Sequence, residues 1–308
     1  MTTSPLLFDR DLLRTRLDRA APDYASADFL KRRAAEDVVM RLETILRRFP
    51  VAVDLGARNG AFSRALATSD ATEKIDVLFE ADLSARMLGQ ILETRGNGRK
   101  AVADEERLPF GDATLDLAVS TLSLHWTNDL VGALIQIRRA LRPDGLFIGA
   151  IFGGATLTEL RQALLQAEDE VSGGASFRVS PFADAIDAAG LLQRAGFALP
   201  VADVDRVKVR YGHPLELLRD LRRMGETSVL LDRSRKPLAR RVLLRAMEIY
   251  VERFAEADGR VPATFEIVAV TGWAPHESQQ KPLRPGSAKM RLADALGVQE
   301  QSAGEKPV

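Results

Sequence analysis

The sequence predicts an α/β fold, doubly wound, on a mostly parallel seven-stranded sheet with a helical insertion between its last two strands. Three observations predict it. Five short apolar runs alternate with helical patterns before residue 155, as in a parallel sheet with right-handed crossovers. The first of these runs, Val51 to Val53, ends in Asp54 and a turn holding Gly56 and Gly60. Two further strand-like runs, Val201 to Tyr211 and Ala263 to Trp273, bracket a helical stretch over 214–257.

The elements follow in order. Residues 1–7 read as a loose end. Phe8 to Ala20 spaces Leu12, Leu13 and Leu17 for a helix, and Pro22 interrupts it. Phe29 to Arg48 is a second helix, with Leu30, Val38, Leu42, Ile45 and Leu46 apolar. Strands are expected at 51–53, at Ile75 to Ala81, at about Lys100 to Ala103, at Leu115 to Ser120 and at Leu146 to Phe152. Between them lie helices starting near Phe62, at Asp82 and at Asn128 to Leu141, then an Arg142-Pro-Asp-Gly145 turn. Leu157 to Glu170 and Pro181 to Ala195 are helical, the second closed by Gly196, with a Gly/Ser-rich stretch at 172–176. A short apolar stretch at Met290 to Leu296 precedes a polar end expected to be disordered. Three segments result: an N-terminal helical segment over 1–48, a main domain over 49–275 with a cap at 214–257, and a tail over 276–308.

Composition narrows the function. The chain has 308 residues, zero formal net charge and no cysteine, which excludes disulfides, thiolate metal sites and a cysteine nucleophile. Zero net charge gives no field toward nucleic acid. No apolar run is long enough to span a membrane, and the N-terminus lacks an apolar signal core. Asp9, Asp11, Asp18 and Asp23 interleave with Arg10, Arg14, Arg16 and Arg19, against the acid-poor pattern of an organelle transit peptide, so the expectation is cytoplasmic. The basic run Arg233 to Arg245 keeps an apolar face and reads as a solvated helix face, with an acidic partner as the alternative.

Ligands in open α/β sheets sit beyond the carboxyl ends of the strands, which selects the candidates. Gly56 and Gly60 let backbone approach a ligand closely, although two glycines also serve strand-to-helix junctions for steric reasons alone. Asp82 ends the second strand some two dozen residues on. It is placed either to accept from ribose hydroxyls or to cap a helix. Asp104 and Glu105 leave the third strand, either toward an exocyclic adenine amine or as a solvated acidic turn. The fourth strand exits through Ser120 and Leu122 to His125 and Trp126, which line a pocket or form a buried structural pair.

Taken together, Asp54-Leu-Gly56 with Gly60, Asp82-Leu83-Ser84, Asp104 before Leu108-Pro-Phe110 and the Arg142-Pro-Asp-Gly145 turn resemble the class I methyltransferases that bind S-adenosylmethionine. A longer resemblance covers nearly the whole chain. Phe8-Asp-Arg10, Ser123-Leu-His-Trp126, Phe152-Gly-Gly154, Ser180-Pro-Phe182, Met224-Gly-Glu226 and Gly272-Trp-x-x-His-Glu-Ser-Gln279 are similar to the mitochondrial complex I assembly factor 5 family. The chain reads as a bacterial relative. The resemblance implies a Rossmann-like class I methyltransferase fold, S-adenosylmethionine as cofactor, and a protein substrate such as a peripheral-arm subunit of complex I. It implies cofactor contacts at Asp54, Gly56, Arg58, Gly60, Asp82, Leu83, Asp104, Glu105, Ser120 and Leu122, and acceptor contacts at His125 and Trp126. It leaves three activities: methyl transfer to a protein side chain, arginine hydroxylation, and a non-catalytic assembly chaperone. No metal site is expected, since the only histidines are His125, His213 and His276, far apart in sequence.

Where the family has Asp-Leu-Gly-Cys-Gly-x-Gly, this chain has Ala57 and Arg58. Arg58 is expected either to crowd the cofactor's methionine end or to offer a guanidinium to its carboxylate. A positive φ there would cost an arginine about 1 kcal/mol.

Overall fold

The computed structural model describes residues 6–92, 98–174, 176–182, 187–234 and 237–280, together with residues 294 and 297. These fall into two compact units, Met1–Pro275 and His276–Val308. The apolar stretch and polar end expected over 290–308 lie almost wholly outside the described residues. In the second unit, Gln279 N donates to His276 O at 3.2 Å, closing a turn.

The first unit holds one seven-stranded sheet. Its strands are β1 (Val51–Leu55), β2 (Val77–Asp82), β3 (Gly98–Val102), β4 (Leu115–Thr121), β5 (Leu141–Phe152), β6 (Ala198–Tyr211) and β7 (Val261–Trp273). The order across the sheet is β3-β2-β1-β4-β5-β7-β6. The β3 to β5 part is parallel throughout, and β7 runs antiparallel to both β5 and β6. Strand order reverses between β1 and β4, so their carboxyl ends flank the crevice where such sheets bind ligands.

The helices are α1 (Arg10–Ala20), α2 (Phe29–Thr44), α3 (Ala61–Ala67), α4 (Ala85–Leu88), α5 (Leu130–Ala140), α6 (Thr158–Ser172), α7 (Ala188–Arg194), α8 (Pro214–Arg223) and α9 (Arg240–Phe254). Strand side chains alternate between faces. Ala52, Leu117, Leu146 and Ile148 pack under α2 and α3. Val53, Ala118, Phe147 and Ile151 pack against α5 and α7. A third cluster gathers α6, α8 and α9 on β7. On the outer edge, β6 carries Asp203 and Asp205, which pair with Arg41 and Arg33 of α2 at 2.7 Å.

Four expectations are corrected. The second helix stops at Thr44, because Lys74 Nζ takes the carbonyls of Leu42, Glu43 and Ile45 at 2.7, 3.0 and 2.5 Å. Leu46, which continued the apolar spacing, is 98% exposed. The 142–145 turn is a bulge inside one long β5: Leu115 faces Leu141, and Leu117 faces Leu146. Residues 214–257 are not one helical run, since α8 ends at Arg223 and α9 begins at Arg240. The helix expected over 181–195 is described as α7 at 188–194, with 181–182 non-helical and 183–186 outside the described residues.

Candidate functional site

The site is built at the carboxyl ends of β1, β2, β3 and β4. Leaving β1, the chain takes positive φ three times in five residues: Gly56 at 71°, Arg58 at 52° and Gly60 at 75°. Glycine is required at 56, where a Cβ would lie 2.2 Å from Ser123 Oγ. At 60 a Cβ would meet Ile91 at 2.8 Å.

Beneath this turn sit two buried titratable side chains, Asp54 and Lys31. Asp54 is fully buried, and neither of its carboxylate oxygens has a hydrogen-bond partner. Lys31 of α2, also buried, donates through Nζ to Gly56 O and Thr121 O at 2.5 Å each. Burial pushes the Asp54 carboxyl up, opposed by the Lys31 ammonium, and pushes Lys31 down, opposed by Asp54. Sequence reasoning missed Lys31. Its spacing with Ala35, Val38 and Leu42 already placed it on the buried face of α2.

Asp82 is not a helix cap: Ser84 Oγ caps α4 by accepting from Met87 N. Asp82 holds the glycine turn instead. Its Oδ2 accepts from Arg58 N at 2.9 Å and from Arg58 Nη1 at 2.8 Å, and its Oδ1 accepts from Ser84 N. Both side chains are essentially without solvent exposure, at 1% and 0%. The Arg58 guanidinium thus lies on the carboxylate expected to hold ribose.

The acids after β3 are also engaged. Arg10 of α1 donates to Asp104 Oδ1 at 2.6 Å and to Glu105 Oε2. Ser123 Oγ donates to the other Glu105 oxygen and accepts from Arg58 Nη2 at 3.3 Å. Burial alone would push Glu105 up, but Arg10, then Arg58 and Ser123, hold it below the usual carboxylate value. Of the remaining candidates, Ser120 Oγ donates to Leu55 O at 3.0 Å, Leu122 is buried with φ 47°, and Leu83 packs against the cluster under α1.

His125 and Trp126 form a short helical turn that converges on a residue the sequence did not single out as functional. Trp126 Nε1 donates to Glu226 Oε2 at 2.8 Å, and His125 Nε2 lies 3.2 Å from the same oxygen. A carboxylate only accepts, so Nε2 carries the proton, and the buried Nδ1 is left without a partner. Glu226 is fixed by the end of α8: its N–H bonds Leu221 O, Gly225 N bonds Arg222 O, and Gly225 has φ 73°. Phe152 and Phe182 stand 4.9 and 5.7 Å from the His125 ring. A cavity of about 210 Å³ opens here, lined by Trp126, Leu160, Leu164, Phe182, Leu221 and Glu226. Arg10 Nη1 donates to Trp126 O at 3.3 Å, joining this cavity to the acids after β3.

His213 caps α8 through Nδ1, and in the second unit His276 Nδ1 meets Ser278 Oγ at 2.7 Å. Among the described residues no three histidine, aspartate or glutamate side chains gather as metal ligands. No described helix is long and apolar enough to cross a membrane.

Residues 53–149 match the methyltransferase domain family model Methyltransf_11. Over 290 residues the chain is 41% identical to arginine-hydroxylase NDUFAF5, mitochondrial, of Danio rerio, covering 94% of this chain and 89% of that protein. It is 33% identical to malonyl-(acyl-carrier protein) O-methyltransferase of Methylovorus sp. (strain MP688), over 89% of this chain and 92% of that one. Among solved structures, the fold matches a putative methyltransferase (BH2331) of Bacillus halodurans C-125. That match has a TM-score of 0.54 and 13% identity, over 78% of this chain and 99% of the other.

Proposed function

This chain belongs to the family of the NDUFAF5 arginine hydroxylases and carries the class I methyltransferase fold, and from that premise we propose that it binds S-adenosylmethionine and modifies an arginine side chain of a protein. The observation that carries the proposal is Glu226, a carboxylate anchored by Trp126 and His125 in the wall of an aromatic and aliphatic cavity. A carboxylate beside ring faces is the chemistry that holds a guanidinium. A cavity of about 210 Å³ is on the scale of a single side chain.

The residue set fits the cofactor once the partners now on its acids, Arg58 on Asp82 and Arg10 and Ser123 on Glu105, are exchanged. Asp54 keeps two buried oxygens without donors, suited to an ammonium, and Asp82 and Glu105 suit ribose hydroxyls and an adenine amine. Arg58 must leave Asp82 before hydroxyls can take its place. When bound, the cofactor supplies an already activated methyl group, so alignment and exclusion of water are what the protein adds. Glu226 and Trp126 orient the guanidinium, and His125 Nδ1 takes the proton its nitrogen loses. The proposed partner is a peripheral-arm subunit of complex I.

Hydroxylation of the same arginine is the second reading, favoured by the name of the relatives at 41% identity. Incubation with S-adenosylmethionine and the candidate subunit, followed by intact mass, separates the two. A gain of one methylene is the expected result, and Glu226→Gln should lower kcat/KM about a hundredfold. A gain of one oxygen would establish the second reading, and an unchanged mass would contradict both.

A further inference from the structure

A second cleft, about 540 Å³, lies between α1 and α8. Arg16, Arg19, Arg219, Arg222 and Arg223 line it, against the single acid Asp23. In a chain of zero net charge this is a concentrated local field. Many of the described arginines have carboxylate partners, among them Arg33, Arg41, Arg206, Arg210 and Arg245. The cleft differs. Among the described residues, Arg19, Arg219 and Arg222 have no side-chain partner, and Arg16 donates only to the Ser228 carbonyl. Arg223 approaches Asp220 no closer than 3.7 Å. Burial, then Arg233 and Arg19, push the Arg16 guanidinium below its ordinary value. Such a cluster repels itself until an anion enters.

The spacing is that of a recognition surface. Arg16 and Arg19, and Arg219 and Arg222, stand three residues apart on their helices, so each pair shares a face. Arg222 and Thr227 line both this cleft and the Glu226 cavity. Whatever occupies the cleft therefore lies at the cavity's mouth. A lone phosphate would leave most of these guanidiniums unanswered, whereas a row of carboxylates matches them.

We propose that this arginine-lined cleft docks an acidic segment of the protein substrate, placing the modified residue in the adjoining cavity. The proposal rests on the reading of the substrate as a protein side chain, but its test needs neither cofactor nor turnover. A fluorescent peptide of alternating glutamate and serine would be titrated into the full chain at low salt. Binding is expected to weaken about tenfold in the pair Arg19→Gln with Arg219→Gln, and further in Arg19→Glu with Arg219→Glu. Added salt should also weaken it, and a glutamine-for-glutamate peptide should not bind. Unchanged thermal midpoints in the variants would keep the loss local. Three results would overturn the proposal: no peptide binding by the unaltered chain, equal binding by the variants, or inorganic phosphate binding as tightly as the peptide. The last would mark a phosphate site instead.

Discussion

Arg58 is the residue on which the proposed cofactor site turns. Its φ of 52° costs about 1 kcal/mol relative to glycine. Its ion pair with Asp82 is sealed from solvent, and removing one partner of such a pair costs about 3–5 kcal/mol. The second figure is the larger, so the arginine is retained by its carboxylate despite a strained backbone. Asp82→Asn is accordingly expected to destabilise the ligand-free protein by about 3–5 kcal/mol in urea unfolding. Glu105 gives a pH signature. Its folded value is depressed, so its contribution is present above the ordinary carboxylate value of about 4.3 and is lost as pH falls through the folded value. Glu105→Gln should flatten the stability profile in that acid range, and an unaltered slope would count against the Arg10–Glu105–Ser123 arrangement. The glycine turn and its acids were legible in sequence because each ends a strand. Their partners were not. Arg10 meets Asp104 from 94 positions away, Lys31 meets Thr121 from 90, and His125 meets Glu226 from 101. Local spacing carries no information about such pairings.

The element that shapes the site most is α1, which the sequence presented as a mixed-charge helix with no stated task. It is tied down at both its start and its buried face. Asp9 caps it by accepting from Leu12 N, Asp9 N donates to Val229 O, and Leu231 N donates to Leu7 O. Leu13, Leu17, Tyr24 and Trp126 share one cluster, so α1 covers the turn that bears His125 and Trp126. Leu17 is fully buried and touches the space beside Gly225, where a Cβ would lie 2.9 Å from it. Leu17→Ala should cost about 2–5 kcal/mol. It should also loosen Glu226, read as a raised KM for the protein substrate; stability lost with KM unchanged would separate α1 from the cavity. The inner strands were read well because their apolar runs are buried on both faces, as throughout β4. Element ends were read less well because distant groups decide them: Lys74 stops α2. At the 142–145 bulge, Ala274 bonds Gly145 and Arg142 pairs with Asp116 at 2.7 Å, so a turn-like sequence continues a strand.

Across the whole molecule, cations from the N-terminal helices and the glycine turn meet acids at the ends of the strands. Arg10, Lys31 and Arg58 converge on Asp54, Asp82, Asp104 and Glu105. These cations occupy the carboxylates assigned to the proposed cofactor, so on that proposal its nucleoside exchanges its own donors for them. Arg58 and the ligand should therefore compete measurably for Asp82. Calorimetric titration of S-adenosylhomocysteine into the unaltered chain and into Arg58→Gly tests it most directly. The variant should be less stable alone by roughly 2–4 kcal/mol, the broken ion pair outweighing the relieved backbone. It should nevertheless bind the ligand more tightly than the parent. Absence of binding in both proteins, or weaker binding in the variant, would contradict the account.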